Sequence, residues 1–547
     1  MERFEWAHLF VLGLLGSFVF FHHLNFSLFE GEEGLYADIA REMVRTGQYI
    51  HPTHNGEPYH LKPPLFFWFL ALSAHLFGES EFSLRLPGAL FGVGTMALTY
   101  CLGAALFSRT AAFWAALVIP TTHIFYWYGP RVLLDSGLVF FITLGLLAFL
   151  RAYTSVAGPS WYAFGFVAMG LGAMVKGLHA FALPGFLILI FLFMQRRSGL
   201  LKVRWFWGGA VVSIVLVGIY YWFLGKEFGS RFLLGEAQEH VIAVYVPDRH
   251  SENRPFFWYL SVMWFDFFPW SVLIPSGLVL LFKERSSMKN GGPLFVFLWI
   301  VGFLLLFSVT QDKRERYLMP IVPGLGLLVG YHYQMLGSPT VFAGPPAFLC
   351  RIMLGCLGCA SVALLVFAPS ILYKKWSVPL DTLPLPFLFF LLIPVLVLFY
   401  ALITNRVRMA FKCLASLAIG LVFAAVQFLL PAIDDATSAR RAALTIRATW
   451  TDAKQPFLFY TPGPGRAFRP ELLYYLDVGR KIQQIQTEDQ LVREILNVGR
   501  TLVLMKKEFY TPLTSRADLA FGVPTEIRLL RRECIMVYIQ PQSLVSN

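Results

Sequence analysis

The 547 residues are 57% hydrophobic and only 14% charged, with a mean hydropathy of +0.61, which excludes an ordinary water-soluble globule, where charged residues make up about a quarter. The formal net charge of +12 does not point to nucleic acid, because the basic residues lie scattered in short clusters between apolar runs instead of along one face. Five of the six cysteines (Cys101, Cys350, Cys356, Cys359 and Cys413) sit inside apolar runs and Cys534 stands alone near the C-terminus, a distribution that fits neither a disulfide framework nor a cysteine zinc site.

Along the chain, apolar stretches at 7–26, 82–106, 110–128, 133–152, 161–175, 178–194, 206–225, 257–282, 293–309, 317–335, 349–371, 384–403 and 408–430 predict about thirteen transmembrane helices. The first has no small-residue cleavage site and reads as an uncleaved span. The basic connections 195–204, 283–292 and 404–408 fall on one side of this count, which the positive-inside rule makes cytoplasmic. Residues 1–430 then form a polytopic α-helical membrane domain with outer loops 27–81 and 226–256, and residues 431–547 lie outside. There the apolar runs stop. QPFLFYT (455–461), RKIQQIQ (480–486), TLVLMK (501–506) and CIMVYIQ (534–540) read as strands, PELLYYLD and EDQLVREILNVG as helices, so a small α/β domain is predicted. TPGPGRAF (461–468) lacks the Lys-Ser/Thr of a P-loop and reads as a turn.

The first outer loop opens on Glu30, Glu32 and Glu33, followed by an amphipathic helix whose Leu35, Tyr36, Ile39, Ala40, Met43 and Val44 share one stripe and which Gly47 ends. Too short to span, this helix is expected to lie on the membrane surface. On the same side, SVTQDKRERYLMPIVPG carries Lys313, Arg314 and Arg316 against the topology rule, so the cluster is expected to hold an anion such as phosphate. Asp135, about one turn inside an apolar run, needs a partner or a cavity, and Arg131 at i−4 is the expected partner. Lys176 in AMVKGLHAFALPG and Lys62 in YHLKPPLFFW join the same outer face. Together these groups predict one functional cavity. His51, His54 and His60 have a spacing compatible with a divalent metal, but on a loop bearing proline and glycine instead of the zinc-protease helix.

In these motifs the chain resembles the bacterial protein-mannosyltransferase-like membrane glycosyltransferases of the GT-C superfamily, and especially the lipid A aminoarabinose (ArnT-like) transferases. The acidic loop pattern appears as Glu30 to Ala37, followed by YHLKPPL (59–65), RVLLD (131–135), VKGLHAFALPG (175–185), FWYL with FFPW (257–270) and RYLMPIVPGLGLL (316–328). The resemblance implies a GT-C fold in the bacterial inner membrane and inverting transfer of a sugar from a polyprenyl-phosphate donor to a glycolipid or protein acceptor at the periplasmic face. It puts the catalytic base at Glu32, with Glu33 or Glu30 as alternatives, and leaves Lys62, Lys176, Lys313, Arg314 and Arg316 to meet the leaving phosphate. Asp135 with Arg131 would orient a substrate, and Tyr59 and Tyr317 would line the pocket. Two departures stand out: the family usually has Asp where this chain has Glu32, and Glu where it has Leu61. A flippase of lipid-linked sugar would require polar groups through the full membrane depth and an internal repeat, which the sequence lacks. A non-catalytic subunit of an envelope assembly is the remaining alternative.

Overall fold

The computed structural model describes residues 3–28, 31–154, 156, 158–229, 254–285, 291–310, 312–336, 345–376, 385–450, 457–462, 470–477, 483–529 and 532–544. Glu30, most of the 226–256 loop and most of TPGPGRAF lie outside these residues. Helix α1 (Arg3–Phe21) leads to α2 (Gly31–Thr46), a hairpin of β1 (Thr53–His54) and β2 (Glu57–Pro58), and α3 (Leu65–Phe77). There follow α4 (Glu81–Leu106), α5 (Arg109–Thr121), α6 (His123–Tyr128), α7 (Leu134–Tyr153), α8 (Ser160–Lys176), α9 (His179–Met194) and α10 (Arg204–Phe228). The bundle is completed by α11 (Trp258–Asp266), α12 (Ile274–Lys283), α13 (Gly292–Val309), α14 (Val322–Met335), α15 (Pro345–Trp376), α16 (Leu385–Ile403) and α17 (Val407–Ala424).

Each apolar stretch predicted to span is helical, and the chain is a multi-spanning α-helical membrane protein. Five described helices are long and apolar enough to cross a bilayer alone, and a sixth if the bent pair Trp258–Asp266 and Trp270–Lys283 counts as one. That pair corrects the expectation of a continuous span over 257–282: its two parts diverge by 118°, with Pro269, which has no backbone N–H to continue a helix, between them. Helix α3, a mainly apolar helix of thirteen residues inside the first outer loop, was not foreseen. Val211, Val212, Ile214 and Val215 of α10 are exposed, as a lipid-facing surface requires. Where helices touch, small residues let them approach: a Cβ at Gly330 of α14 would sit 2.2 Å from the Ala111 carbonyl oxygen of α5, and one at Gly326 would sit 2.5 Å from that of Ala115.

After α18 (Leu430–Thr437) and α19 (Ala439–Thr449) comes a six-stranded sheet. Its strands are β3 (Phe457–Tyr460), β4 (Gln483–Ile485), β5 (Thr501–Lys506), β6 (Leu519–Phe521), β7 (Thr525–Leu529) and β8 (Arg532–Pro541), interspersed with α20 (Pro470–Leu476), α21 (Glu488–Val498) and α22 (Lys507–Leu513). The order is β4-β3-β5-β8-β6, with β7 also on β8; β3 runs parallel to β4 and β5, and β8 antiparallel to β5 from Thr501↔Ile539 to Lys506↔Cys534. Alternating side chains feed two cores, Phe457, Leu472 and Leu502 on one face, Leu458, Leu491 and Val503 on the other. The four strands read from the sequence are β3, β4, β5 and β8.

Helix α2, expected to lie on the membrane surface, packs its apolar face on protein instead of leaving it for lipid. It is clamped between α3 and α20. Its apolar stripe packs Tyr36 against Phe67, with ring centroids 5.4 Å apart, and two arginines of its polar face reach the C-terminal sheet domain. Arg41 donates to the Tyr474 carbonyl at 2.6 Å and pairs with Asp477 at 3.3 Å; Arg45 pairs with Asp477 and Glu79, both at 2.6 Å. The contact is so close that a Cβ at Gly34 would fall 2.2 Å from the Glu471 backbone nitrogen.

Candidate active site

Beginning at Gly31 instead of after the acidic turn, α2 carries Glu32 and Glu33 in its first turn, where carboxylates suit the helix dipole. The two adjacent side chains point to opposite sides. Glu32 faces the 310–316 connection: one oxygen meets the Arg314 guanidinium and the other lies 2.6 Å from Arg316 Nη2. Arg316 reaches down to Asp135 Oδ2 with its Nε at 3.5 Å, and the second Asp135 oxygen receives the Lys176 ammonium. Lys176 Nζ also stands 4.7 Å from the centre of the Tyr317 ring, and the Tyr317 hydroxyl donates to Asp312 at 3.1 Å. The result is an alternating chain of charges, Arg314, Glu32, Arg316, Asp135 and Lys176, drawn from α2, α7, α8 and the loop before α14.

Burial pushes the Glu32 carboxyl up, but Arg316 and Arg314, with Lys176 behind them, outweigh it and leave the group below the usual carboxylate range. Lys62 lies within electrostatic reach of the same cluster, and its ammonium has no ion pair or hydrogen bond among the described residues. Burial and the nearby Lys176 lower its affinity for a proton. Tyr59 is buried with its ring edge on Phe67, centroids 6.0 Å apart.

A model of the family described as dolichyl-phosphate-mannose-protein mannosyltransferase matches residues 61–222. An uncharacterised protein of Aquifex aeolicus is 29% identical over 315 residues, 57% of this chain and 60% of that protein. The undecaprenyl phosphate-alpha-4-amino-4-deoxy-L-arabinose arabinosyl transferase of Erwinia tasmaniensis is 28% identical over 362 residues, 63% of this chain and 62% of the relative. The chain thus matches about three-fifths of the length of these relatives. Among solved structures, ArnT from Cupriavidus metallidurans bound to undecaprenyl phosphate superposes with a TM-score of 0.75 at 19% identity, covering 98% of both chains. The archaeal oligosaccharyltransferase AglB from Archaeoglobus fulgidus gives 0.52 at 12% identity, over 93% of this chain and 70% of that one. The chain has the ArnT-like GT-C fold. The resemblance carried by its motifs is borne out.

Within this fold several expected site residues are placed elsewhere. Glu33 is fully buried and faces Arg85, which holds its two oxygens at 3.0 and 2.9 Å while the Val132 backbone N–H donates to it at 3.1 Å. It is a structural counter-ion and not an alternative base at the cluster. Arg131 is not the partner of Asp135; its guanidinium lies 3.9 Å above the Trp127 ring, because Leu133 is extended and the chain between Arg131 and Asp135 is not helical. Lys313 turns away and donates to the carbonyls of Thr310 and, at 3.3 Å, Arg254. The three histidines do not share one site: His51, edge-on to His60 with ring centroids 6.4 Å apart, pairs its Nε2 with Glu227 at 2.5 Å, whereas His54 Nδ1 pairs with Asp38 at 2.8 Å. Among the described residues no group of three or more His, Cys, Asp or Glu is arranged to hold a metal. Tyr36, read as part of an apolar stripe, belongs to the site: one turn after Glu32, it lies within electrostatic reach of Glu32, Tyr59, Arg316 and Asp135. Its i+4 spacing from the acidic turn was the available signal.

Proposed function

We propose that the chain transfers a sugar from a polyprenyl-phosphate donor to an envelope acceptor, a glycolipid such as lipid A or a protein, at the periplasmic face of the bacterial inner membrane. Residues 1–430 form the transferring domain and 431–547 a periplasmic domain. The observation that carries this reading is the convergence on Glu32 of Arg314 and Arg316 with the Asp135–Lys176 pair and Lys62 alongside. The names of the similar proteins, an arabinosyl transferase acting from undecaprenyl phosphate and an ArnT bound to undecaprenyl phosphate, support it.

In this mechanism the acceptor nucleophile attacks the anomeric carbon from the side opposite the phosphate, the carbon–oxygen bond to the phosphate breaks with inversion, and Glu32 takes the nucleophile's proton. Charge grows on the departing phosphate, and Lys62, Lys176, Arg314 and Arg316 meet it. A carboxylate with both oxygens on guanidinium groups is a weak base. The donor phosphate competes for Arg314 and Arg316 and so releases a Glu32 lone pair when the sugar is in place. Asp135 holds Lys176 and Arg316 in position, and Tyr36, Tyr59 and Tyr317 wall the pocket. Since four cations already face the leaving phosphate, no step needs a divalent metal, and transfer is expected to persist in a chelator. The test is transfer from a polyprenyl-phosphate sugar by purified Glu32→Gln and Arg316→Ala, each checked for folding. Loss of about 100-fold or more is expected for each. Near-normal transfer by both would overturn the assignment.

A further inference from the structure

Helix α6 and the turn that follows it present His123, Tyr126, Trp127 and Pro130 as half-buried positions on one stripe, while Ile124, Phe125 and Tyr128 turn inward. His123 Nδ1 lies 2.9 Å from Oδ1 of Asp266, the last residue of α11, whose side chain is only 4% exposed. The second carboxylate oxygen, Asp266 Oδ2, has no hydrogen-bond partner among the described residues. Neither His123 Nε2 nor the Tyr126 hydroxyl has one there either. The imidazole is framed by Tyr126, edge-on at 5.3 Å, and Trp127, stacked at 6.0 Å. A narrow cleft against the end of α1 runs beside the same stripe, lined by His23, Phe26, Tyr126, Trp127, Pro130 and Arg131. The Tyr128 hydroxyl donates to Glu315 at 3.1 Å, which ties α6 to the loop that carries Arg314 and Arg316.

A carboxylate oxygen kept from water without a donor is unfavourable unless something supplies one. Here the unfilled acceptor is joined by an imidazole nitrogen and a phenol that can each donate or accept, all against aromatic walls. A phosphate would add negative charge beside Asp266. A neutral polyhydroxyl group matches the set: its O–H groups donate to Asp266 and His123, its oxygens accept from Tyr126, and its C–H faces pack on the rings. We propose that this stripe is a second binding site, taking the hydroxyl groups of a sugar headgroup carried on a membrane lipid. In the proposed reaction that headgroup is the acceptor's; this last assignment rests on the transferase reading, whereas the site does not.

Footprinting tests it without any transfer assay. The full chain in a polyoxyethylene detergent is treated with diethyl pyrocarbonate, which modifies accessible imidazole nitrogen, and His123 is followed by peptide mass spectrometry. Octyl β-D-glucoside is expected to slow modification of His123 about fivefold at several times its dissociation constant, with the modification of His75 unchanged. Tyr126→Phe, which keeps the ring, is expected to weaken that protection, and Asp266→Asn to remove it. No protection would overturn the site. Equal protection by octyl tetraethylene glycol would reduce it to apolar occupancy, and protection by dioctanoyl phosphatidic acid in place of the glucoside would make it an anion site; either result overturns the proposal. Loss of transfer in Glu32→Gln with His123 protection intact would separate the two sites.

Discussion

Glu32 and Glu33 are neighbours with the same side chain and opposite expected phenotypes. Glu32 is partly exposed among cations that a substrate can compete for, while Glu33 is buried against Arg85. Glu33→Gln removes the buried charge that faces the Arg85 guanidinium and is expected to destabilise the fold by about 3–5 kcal/mol; Glu32→Gln is expected to leave the unfolding midpoint nearly unchanged while transfer falls. Thermal unfolding in detergent, measured beside transfer, checks both. The sequence could nominate three glutamates but not choose among them, because adjacent positions on a helix differ by about 100° in direction and only the packing partner says which way matters. The same limit applied to Arg131, whose i−4 spacing from Asp135 promised an ion pair that requires continuous helix. Asp135, Lys176 and Arg316 were legible because ionisable groups at the membrane edge need a partner, and there they found one another.

At the scale of elements, what could be read was periodicity and hydropathy, which place helical structure over each predicted span, with 110–128 and 257–282 broken in two, and locate four strands of the sheet. What could not be read was set by contacts between distant segments. Helix α3 hid inside a loop because its thirteen residues are too few to span. Strands β6 and β7 are short, and form because β8 offers them an edge. The α5–α14 contact depends on Gly326 and Gly330, and Gly330→Leu is expected to cost about 2–3 kcal/mol, read from the unfolding midpoint, since a side chain there meets the Ala111 carbonyl. At the other end of the molecule, Arg41→Ala removes the bond to the Tyr474 carbonyl and the pair with Asp477. It is expected to loosen α20 from α2, raising amide hydrogen exchange in Pro470–Leu476 and lowering transfer without touching any group at Glu32.

At the scale of the whole molecule, the C-terminal sheet domain is tied to helix α2 through a carboxylate held below its ordinary range, Asp477, and Arg41, one of the two arginines it pairs with, is in turn held by a second, Asp38. Asp477 is lowered chiefly by its hydrogen bonds to Arg45, and Asp38, which burial raises, is lowered overall by His54 and Arg41. A depressed native pKa contributes stability that is present above the unfolded-state value and is lost as pH falls through the native value. The union is therefore expected to hold through mildly acid conditions and to open only below the ordinary aspartate range, near pH 4. Limited proteolysis of the C-terminal domain across that interval checks the sign: cleavage should rise on acidification, not on alkalinisation. Because α2 carries Glu32 in its first turn and Arg41 and Arg45 near its last, it works as a lever about 20 Å long. Its handle is gripped by the C-terminal domain and its tip rests among the arginines. In the proposed mechanism, substitutions in the C-terminal domain would thus retune the alignment of Glu32 without altering a residue of the helical bundle, and a ligand that grips Pro470–Leu476 would inhibit transfer at a distance from the charged cluster.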